Sequence, residues 1–170
     1  LPDADIGMAA DAAVSAAYGS AGERCMSISV VVAVGSSADP FIEAVKERLP
    51  KIKVGPGSDP QNEMGPLITL EHRNKVASYL EGAAAEGASV LVDGRDAQFE
   101  GNGFFLGVSL IDNVKPGMKV YDDEIFGPVL CVTRVSSYAE ALELVNSNQY
   151  GNGTAIFTRD GGAARQYQFD

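Results

Sequence analysis

Gly22-Glu23-Arg24-Cys25-Met26 is the stretch on which the reading of this chain turns. Before it lies an Ala-rich segment, Asp5 to Tyr18, whose positions Ile6, Ala9, Ala13 and Ala17 recur at helical spacing behind a capping aspartate at Asp3 or Asp5. After it lies Ile28 to Val34, β-branched and nearly all apolar, a pattern that predicts a strand covered on both faces. Gly19 and Gly22 end the helix. The unit is therefore helix, loop, strand, with a cysteine in the loop. A cysteine placed there, with a glycine behind it and Arg24 beside it, can be held open to a substrate. Only the thiolate attacks, and a neighbouring cation favours it. The competing reading is packing, because cysteine is among the most buried residue types.

Working outward, the alternation continues. Asp39-Pro40 predicts an N-cap with proline at the first helical position, and Phe41, Val45 and Leu49 form one face of a helix that stops at Pro50. Lys53 to Pro66, rich in Gly and Pro, is a long irregular connection of the kind that tends to be functional or flexible. Thr69 caps a helix with Val76, Leu80 and Ala84 on its inner face, closed by Gly87. Ser89 to Val92 is a short strand, Arg95 to Gly103 a surface excursion, and Phe104 to Ile111 a second strand region with a bulge expected at Gly107. Val129 to Val135 is a strand entered through Gly127-Pro128. Ser137-Tyr138-Ala139-Glu140 is a capping box opening a helix that carries Ala141, Leu142 and Val145. Gly151-Asn152-Gly153 turns into a strand from Thr154 to Thr158, and Asp160 opens a last helix. The fold class this predicts is α/β, a mainly parallel sheet with helices on both faces. The chain opens on Leu1-Pro2 and stops at Asp170 inside a helical pattern, so a parent longer at both ends is expected.

Composition narrows the function. A chain of 170 residues with 45% apolar and 21% charged side chains suits one packed domain. A net charge of -10 argues against nucleic acid and against an anionic membrane surface as partners. Two cysteines, Cys25 and Cys131, make no disulfide framework and point to a reducing interior compartment. No apolar run approaches the roughly 20 residues that cross a bilayer, and the first residues carry no signal-peptide pattern.

Metal binding is poorly supported: Cys25, His72 and Cys131 do not lie at ligand spacing. A Cys–His hydrolase would need His72 as its base, yet His72 reads as a solvated residue early in an amphipathic helix. Glu124 is the more informative carboxylate. It closes the acidic run Asp122-Asp123-Glu124, which by itself is a solvated surface, but leads straight into Ile125-Phe126-Gly127-Pro128 and a buried strand. At a strand end of an α/β sheet a carboxylate can accept hydrogen bonds from ribose hydroxyls, and a phenyl two positions on can pack against a flat ring.

Gly22-Glu23-Arg24-Cys25 followed by Glu124-Ile125-Phe126-Gly127-Pro128, with Met64-Gly65-Pro66-Leu67-Ile68 and Phe157-Thr158, resembles the catalytic domain of the aldehyde dehydrogenase superfamily over essentially the whole chain. Within it, Gly22 to Met26, Asn113-Val114-Lys115-Pro116 and Tyr150 to Thr158 are most similar to the CoA-acylating, methylmalonate-semialdehyde branch. Other branches usually differ at Arg24 and at Asn152-Gly153. Glu23 departs from the commoner glutamine. The resemblance implies that Cys25 is the nucleophile, that Glu124 holds the nicotinamide ribose of NAD with Phe126 beside the ring, and that Arg24 receives the substrate carboxylate or tunes the Cys25 thiol. It implies NAD as cofactor, CoA as co-substrate, no metal, a small aldehyde substrate, and a dimeric or tetrameric homo-oligomer in the cytoplasm, or in the mitochondrial matrix of a eukaryote. It places the dinucleotide-binding domain, the oxyanion-hole asparagine and the general-base position before Leu1, and leaves residues 1–170 as a partial catalytic domain, truncated at both ends and inactive by itself. Two further readings stay open: a dehydrogenase that releases the free acid by hydrolysis, and a non-catalytic structural or binding relative.

Overall fold

The structure is a computed structural model and describes residues 1–99 and 102–170. Four strands form one sheet in the order β1-β4-β3-β2, with β1 Val30–Val34, β2 Ser89–Val92, β3 Ser109–Asp112 and β4 Val129–Val135. β4 runs parallel to β1, Val30 opposite Cys131, and parallel to β3, Ser109 opposite Val129. β2 is antiparallel to β3. The sheet is thus mainly parallel, as the alternating pattern predicts, with one reversed strand at its end.

Burial shows which strands carry the core. Neighbouring residues of a strand face opposite sides. All four residues of β3 and the first five of β4 are buried, so both faces of the sheet are covered at its centre. β1 is different. It lies at the end of the sheet, and only Ala33 and Val34 of its five residues are buried. Its apolar run signalled a strand but overstated its coverage.

The helices are α1 Ile6–Tyr18, α2 Ala38–Lys46, α3 Leu70–Ala85, α4 Lys119–Asp122, α5 Tyr138–Asn146 and α6 Gly161–Tyr167. α1 starts where Asp5 accepts a hydrogen bond from the Met8 N–H, and its small buried residues Ala10, Ala13 and Ala17 let it sit close to the layers beneath. The buried Tyr18 hydroxyl donates to the Ser109 carbonyl at 2.9 Å and fixes the end of α1 to β3. α3 is capped by Thr69, whose Oγ1 accepts from the His72 N–H. It ends in a Schellman arrangement: Ala88 N–H to Ala83 O at 2.9 Å, Gly87 N–H to Ala84 O at 3.2 Å, with Gly87 at φ +94°. Its buried face is Val76, Tyr79, Leu80 and Ala83. Ala84 is exposed, because the helical stripe continues from Leu80 through Ala83 instead.

Several local expectations need correction. Asp39 does not cap α2 but lies in its first turn and pairs with Arg134 at 2.7 Å. Strand β3 begins at Ser109, later than Phe104. Gly107 marks no bulge; its N–H donates to the Gly94 carbonyl at 3.0 Å, and a Cβ on Gly94 would lie 2.0 Å from the Gly107 oxygen. Thr154 to Thr158 forms no ladder among the described residues; Thr158 and Arg159 are instead tied to the Asp3 carboxylate. The capping box forms as expected: the Ser137 hydroxyl accepts from the Glu140 N–H, and the Glu140 carboxylate reaches back to accept from the Ser136 N–H at 2.7 Å. Glu100 and Gly101, within the expected Arg95–Gly103 excursion, lie outside the described residues. No helix among the described residues is long and apolar enough to cross a membrane.

Candidate active site

The chain leaves α1 through three consecutive left-handed residues, Ser20 at φ +54°, Ala21 at +55° and Gly22 at +72°. Such a conformation costs a non-glycine residue about 1–2 kcal/mol, so the loop is built at some expense. At Gly22 it is obligatory for a second reason: a Cβ there would stand 2.1 Å from the Gly127 carbonyl oxygen. The cysteine loop and the Glu124–Pro128 loop therefore touch backbone to backbone. Beyond Gly22, the Ser27 N–H closes a turn on the Arg24 carbonyl at 3.0 Å, which leaves Cys25 and Met26 exposed at its corners.

The second loop follows α4, whose short helical turn the sequence pattern did not reveal. Ile125 is buried and anchors the loop, while Glu124 on one side and Phe126 on the other are exposed. Phe126 is itself left-handed, at φ +55°. Gly127 must be small, since a Cβ would press on the Val76 methyls of α3 at 2.6 Å. One shallow depression is lined by Gly22, Arg24, Cys25 and Ser27 from the first loop and by Glu124, Ile125, Phe126 and Gly127 from the second. The structure thus brings Cys25, Glu124, Phe126 and Arg24 together although they lie far apart in sequence.

The two cysteines have opposite environments. Cys25 is exposed. Cys131 is fully buried on β4, and burial pushes its thiol up to about 12, which makes it unreactive near neutrality. Arg24 lines the depression, but its Nη2 donates to the carbonyls of Ser15 and Ala16 at 3.3 and 3.2 Å, the open carbonyl end of α1. A cation is favourable at that end of a helix. Gly19 makes room for the guanidinium, since a Cβ there would lie 2.9 Å from Nη2.

Three residues near the loops were not singled out for the roles their contacts show. Asn152 Nδ2 donates to the Cys25 carbonyl at 2.6 Å, so the Gly151-Asn152-Gly153 turn holds the backbone of the candidate nucleophile. His72 is not simply solvated: its Nε2 lies 2.7 Å from the Phe126 carbonyl and 3.7 Å from a Glu23 carboxylate oxygen. Glu23 also accepts from the Ile68 N–H at 3.4 Å. The sequence signal for Asn152 was its place in a branch-distinguishing pair; for His72 there was none, because its partners are remote in sequence. Among the described residues no group of three or more His, Cys, Asp or Glu side chains is arranged to hold a metal ion.

A two-loop site around an exposed cysteine, ahead of the N-terminal ends of β1 and β4, accompanies a chain-wide family match: the chain belongs to the aldehyde dehydrogenase family, over residues 1–168. More narrowly, it is 52% identical over 170 residues to the malonate-semialdehyde dehydrogenase of Pseudomonas aeruginosa, with 98% of this chain and 34% of that protein covered. It is 44% identical over 169 residues to the mitochondrial, acylating methylmalonate-semialdehyde/malonate-semialdehyde dehydrogenase of Bos taurus, with 98% and 31% covered. The crystal structure of methylmalonate-semialdehyde dehydrogenase from Oceanimonas doudoroffii superposes with a TM-score of 0.96 at 48% identity, over 99% of this chain and 35% of that one. The chain spans about a third of the length of the relatives it matches.

Proposed function

We propose that residues 1–170 are part of the catalytic domain of an NAD-dependent, CoA-acylating dehydrogenase of malonate or methylmalonate semialdehyde, with the dinucleotide-binding domain elsewhere in the polypeptide. The observation that carries the proposal is that Cys25 and Glu124 line one depression, the thiol exposed and the carboxylate across from it. Family membership and the names of the relatives support the reaction class.

In this reading the Cys25 thiolate adds to the aldehyde carbon and forms a hemithioacetal. NAD held at Glu124 and Phe126 would supply the hydride acceptor for that carbon, and Cys25 would then carry the oxidised acyl group as a thioester. Loss of the substrate carboxylate as carbon dioxide, with a proton from solvent taken up at the α-carbon, and attack of the CoA thiol, whose proton passes to the departing Cys25 sulfur, give a short acyl-CoA and free Cys25. A sulfur nucleophile suits this sequence, because a thioester retains the acyl-transfer potential that hydrolysis discards. The residues present fit a nicotinamide ribose: the exposed Glu124 carboxylate can accept from its hydroxyls, and the half-exposed Phe126 ring offers an apolar face at the same depression. Arg24 keeps its substrate-carboxylate role only if it can serve a ligand while capping α1. A cytoplasmic location, or a mitochondrial one as the name of the bovine relative states, belongs to the same proposal.

Product analysis on the complete polypeptide tests it. With malonate semialdehyde and NAD, NADH and acyl-CoA are expected together when CoA is present, and Cys25→Ala is expected to abolish both. Free acid in place of acyl-CoA, whether or not CoA is added, would overturn the acylating assignment.

A further inference from the structure

We propose that His72 is a positioning residue that fixes the cofactor side of the site, acting through the Phe126 carbonyl. The inference rests on the functional reading above and goes beyond it, to a residue that neither loop contains.

His72 stands in the first turn of α3, a helix that carries none of the residues lining the depression. Its backbone is fixed by the Thr69 cap at 3.1 Å. The side chain is three-quarters buried, with 25% exposure. Nε2 stands 2.7 Å from the Phe126 oxygen, and a carbonyl only accepts, so Nε2 carries the hydrogen and donates it. The same nitrogen faces Glu23 Oε1 at 3.7 Å, and that carboxylate is 9% exposed. A carboxylate this secluded needs donors around it; the Ile68 N–H donates to it, and the imidazole nitrogen lies alongside at 3.7 Å. One side chain on a rigid helix thus meets the residue two before Cys25 and the residue two after Glu124.

The bond matters most at Phe126. That residue is left-handed at φ +55°, a conformation a phenylalanine leaves readily unless its surroundings hold it. Its carbonyl direction fixes the peptide plane that leads into Gly127, which Gly22 and Val76 clamp from either side. If the imidazole is lost, Phe126 can relax toward an ordinary backbone conformation, carrying its ring and the neighbouring Glu124 away from the depression. Cys25 has an anchor of its own in Asn152 and is affected less. The effect should therefore fall on the cofactor rather than on the aldehyde.

The test compares His72→Ala with His72→Gln in the complete polypeptide, since the glutamine amide can place an N–H near the position of Nε2. His72→Ala is expected to raise KM for NAD about tenfold, the scale of one positioned hydrogen bond, with KM for the aldehyde changed by less than about twofold. His72→Gln is expected to bring KM for NAD back to within about threefold of the wild type. An unchanged KM for NAD in His72→Ala overturns the proposal. So does an equal rise in both KM values, or a glutamine variant no better than alanine, because a merely structural role would give those patterns. Failure of the underlying functional reading shows separately, as a wild-type polypeptide that neither binds NAD nor forms NADH.

Discussion

At the scale of single residues, the exposed thiol depends on an amide. Cys25 sits at the corner of a turn, where a backbone is free to drift, and its carbonyl is held by Asn152 Nδ2 at 2.6 Å from a segment 127 residues away in sequence. Replacing the donor by an acceptor should be worse than deleting it, because Asn152→Asp sets a carboxylate against a carbonyl oxygen. In the complete polypeptide we expect Asn152→Ala to slow acyl-enzyme formation about tenfold, and Asn152→Asp to slow it further. The measurement is the pre-steady-state burst of NADH. Alkylation by iodoacetamide, read by mass spectrometry at the peptide that carries Cys25, gives a second readout; burial keeps Cys131, its thiol pushed up to about 12, from reacting at neutral pH. Equal bursts in all three proteins would show that the amide does not position the sulfur.

At the scale of elements, the site exists because two loops meet without side chains between them. Gly22 is the contact point, 2.1 Å from the Gly127 oxygen for an added Cβ and at φ +72° besides. Gly22→Ala combines a left-handed alanine with a backbone clash, and a cost of about 3 kcal/mol or more is expected. Gly57→Ala is the control: a Cβ there meets nothing within 4 Å, and a change of less than about 0.5 kcal/mol is expected. Denaturant midpoints of the two variants check both values. The same contact explains what the sequence could and could not tell. Four helix starts were legible because a cap is a local event: Asp5, Thr69, Ser137 and Asp160 all accept the N–H bonds their positions implied, whereas Asp39 lies inside the first turn of α2. The strands Ser89 to Val92 and Val129 to Val135 were legible from their apolar runs. Thr154 to Thr158 looked like a strand for the same reason, but a strand needs a neighbour, and periodicity carries no information about one. The left-handed Ser20, Ala21 and Phe126 were illegible because none is a residue type that marks a positive φ, and the imidazole behind Phe126 because its partner lies 54 residues away. Cys25 and Glu124 stood out as candidates from their local sequence, and their pairing came from motif resemblance; that they share a depression is a property of the fold.

At the scale of the whole molecule, the centre of the sheet buries two groups that resist ionisation. Cys131 on β4 has its thiol pushed up to about 12 from 9.0 by burial. Tyr18, fixed by its hydroxyl to Ser109 of β3, is raised well above its usual 10.0, by burial first and by the neighbouring Cys131 second. Both are acids that stay neutral in the fold and ionise more easily in the unfolded chain. Their contribution to stability is therefore complete below about pH 9 and is lost as pH rises, because the unfolded state gives up protons the folded state keeps. Thermal unfolding should show a midpoint that falls steadily between about pH 9 and pH 12. The general repulsion of a chain at net -10 also grows there, so the decline alone is not diagnostic. Cys131→Ala separates the two causes. It removes one buried acid and leaves the surface charge unchanged, so its midpoint should start lower, from the small cavity, yet fall less steeply with pH than that of the wild type. Parallel declines in the two proteins would place the alkaline loss on surface repulsion and leave the buried thiol with no part in it.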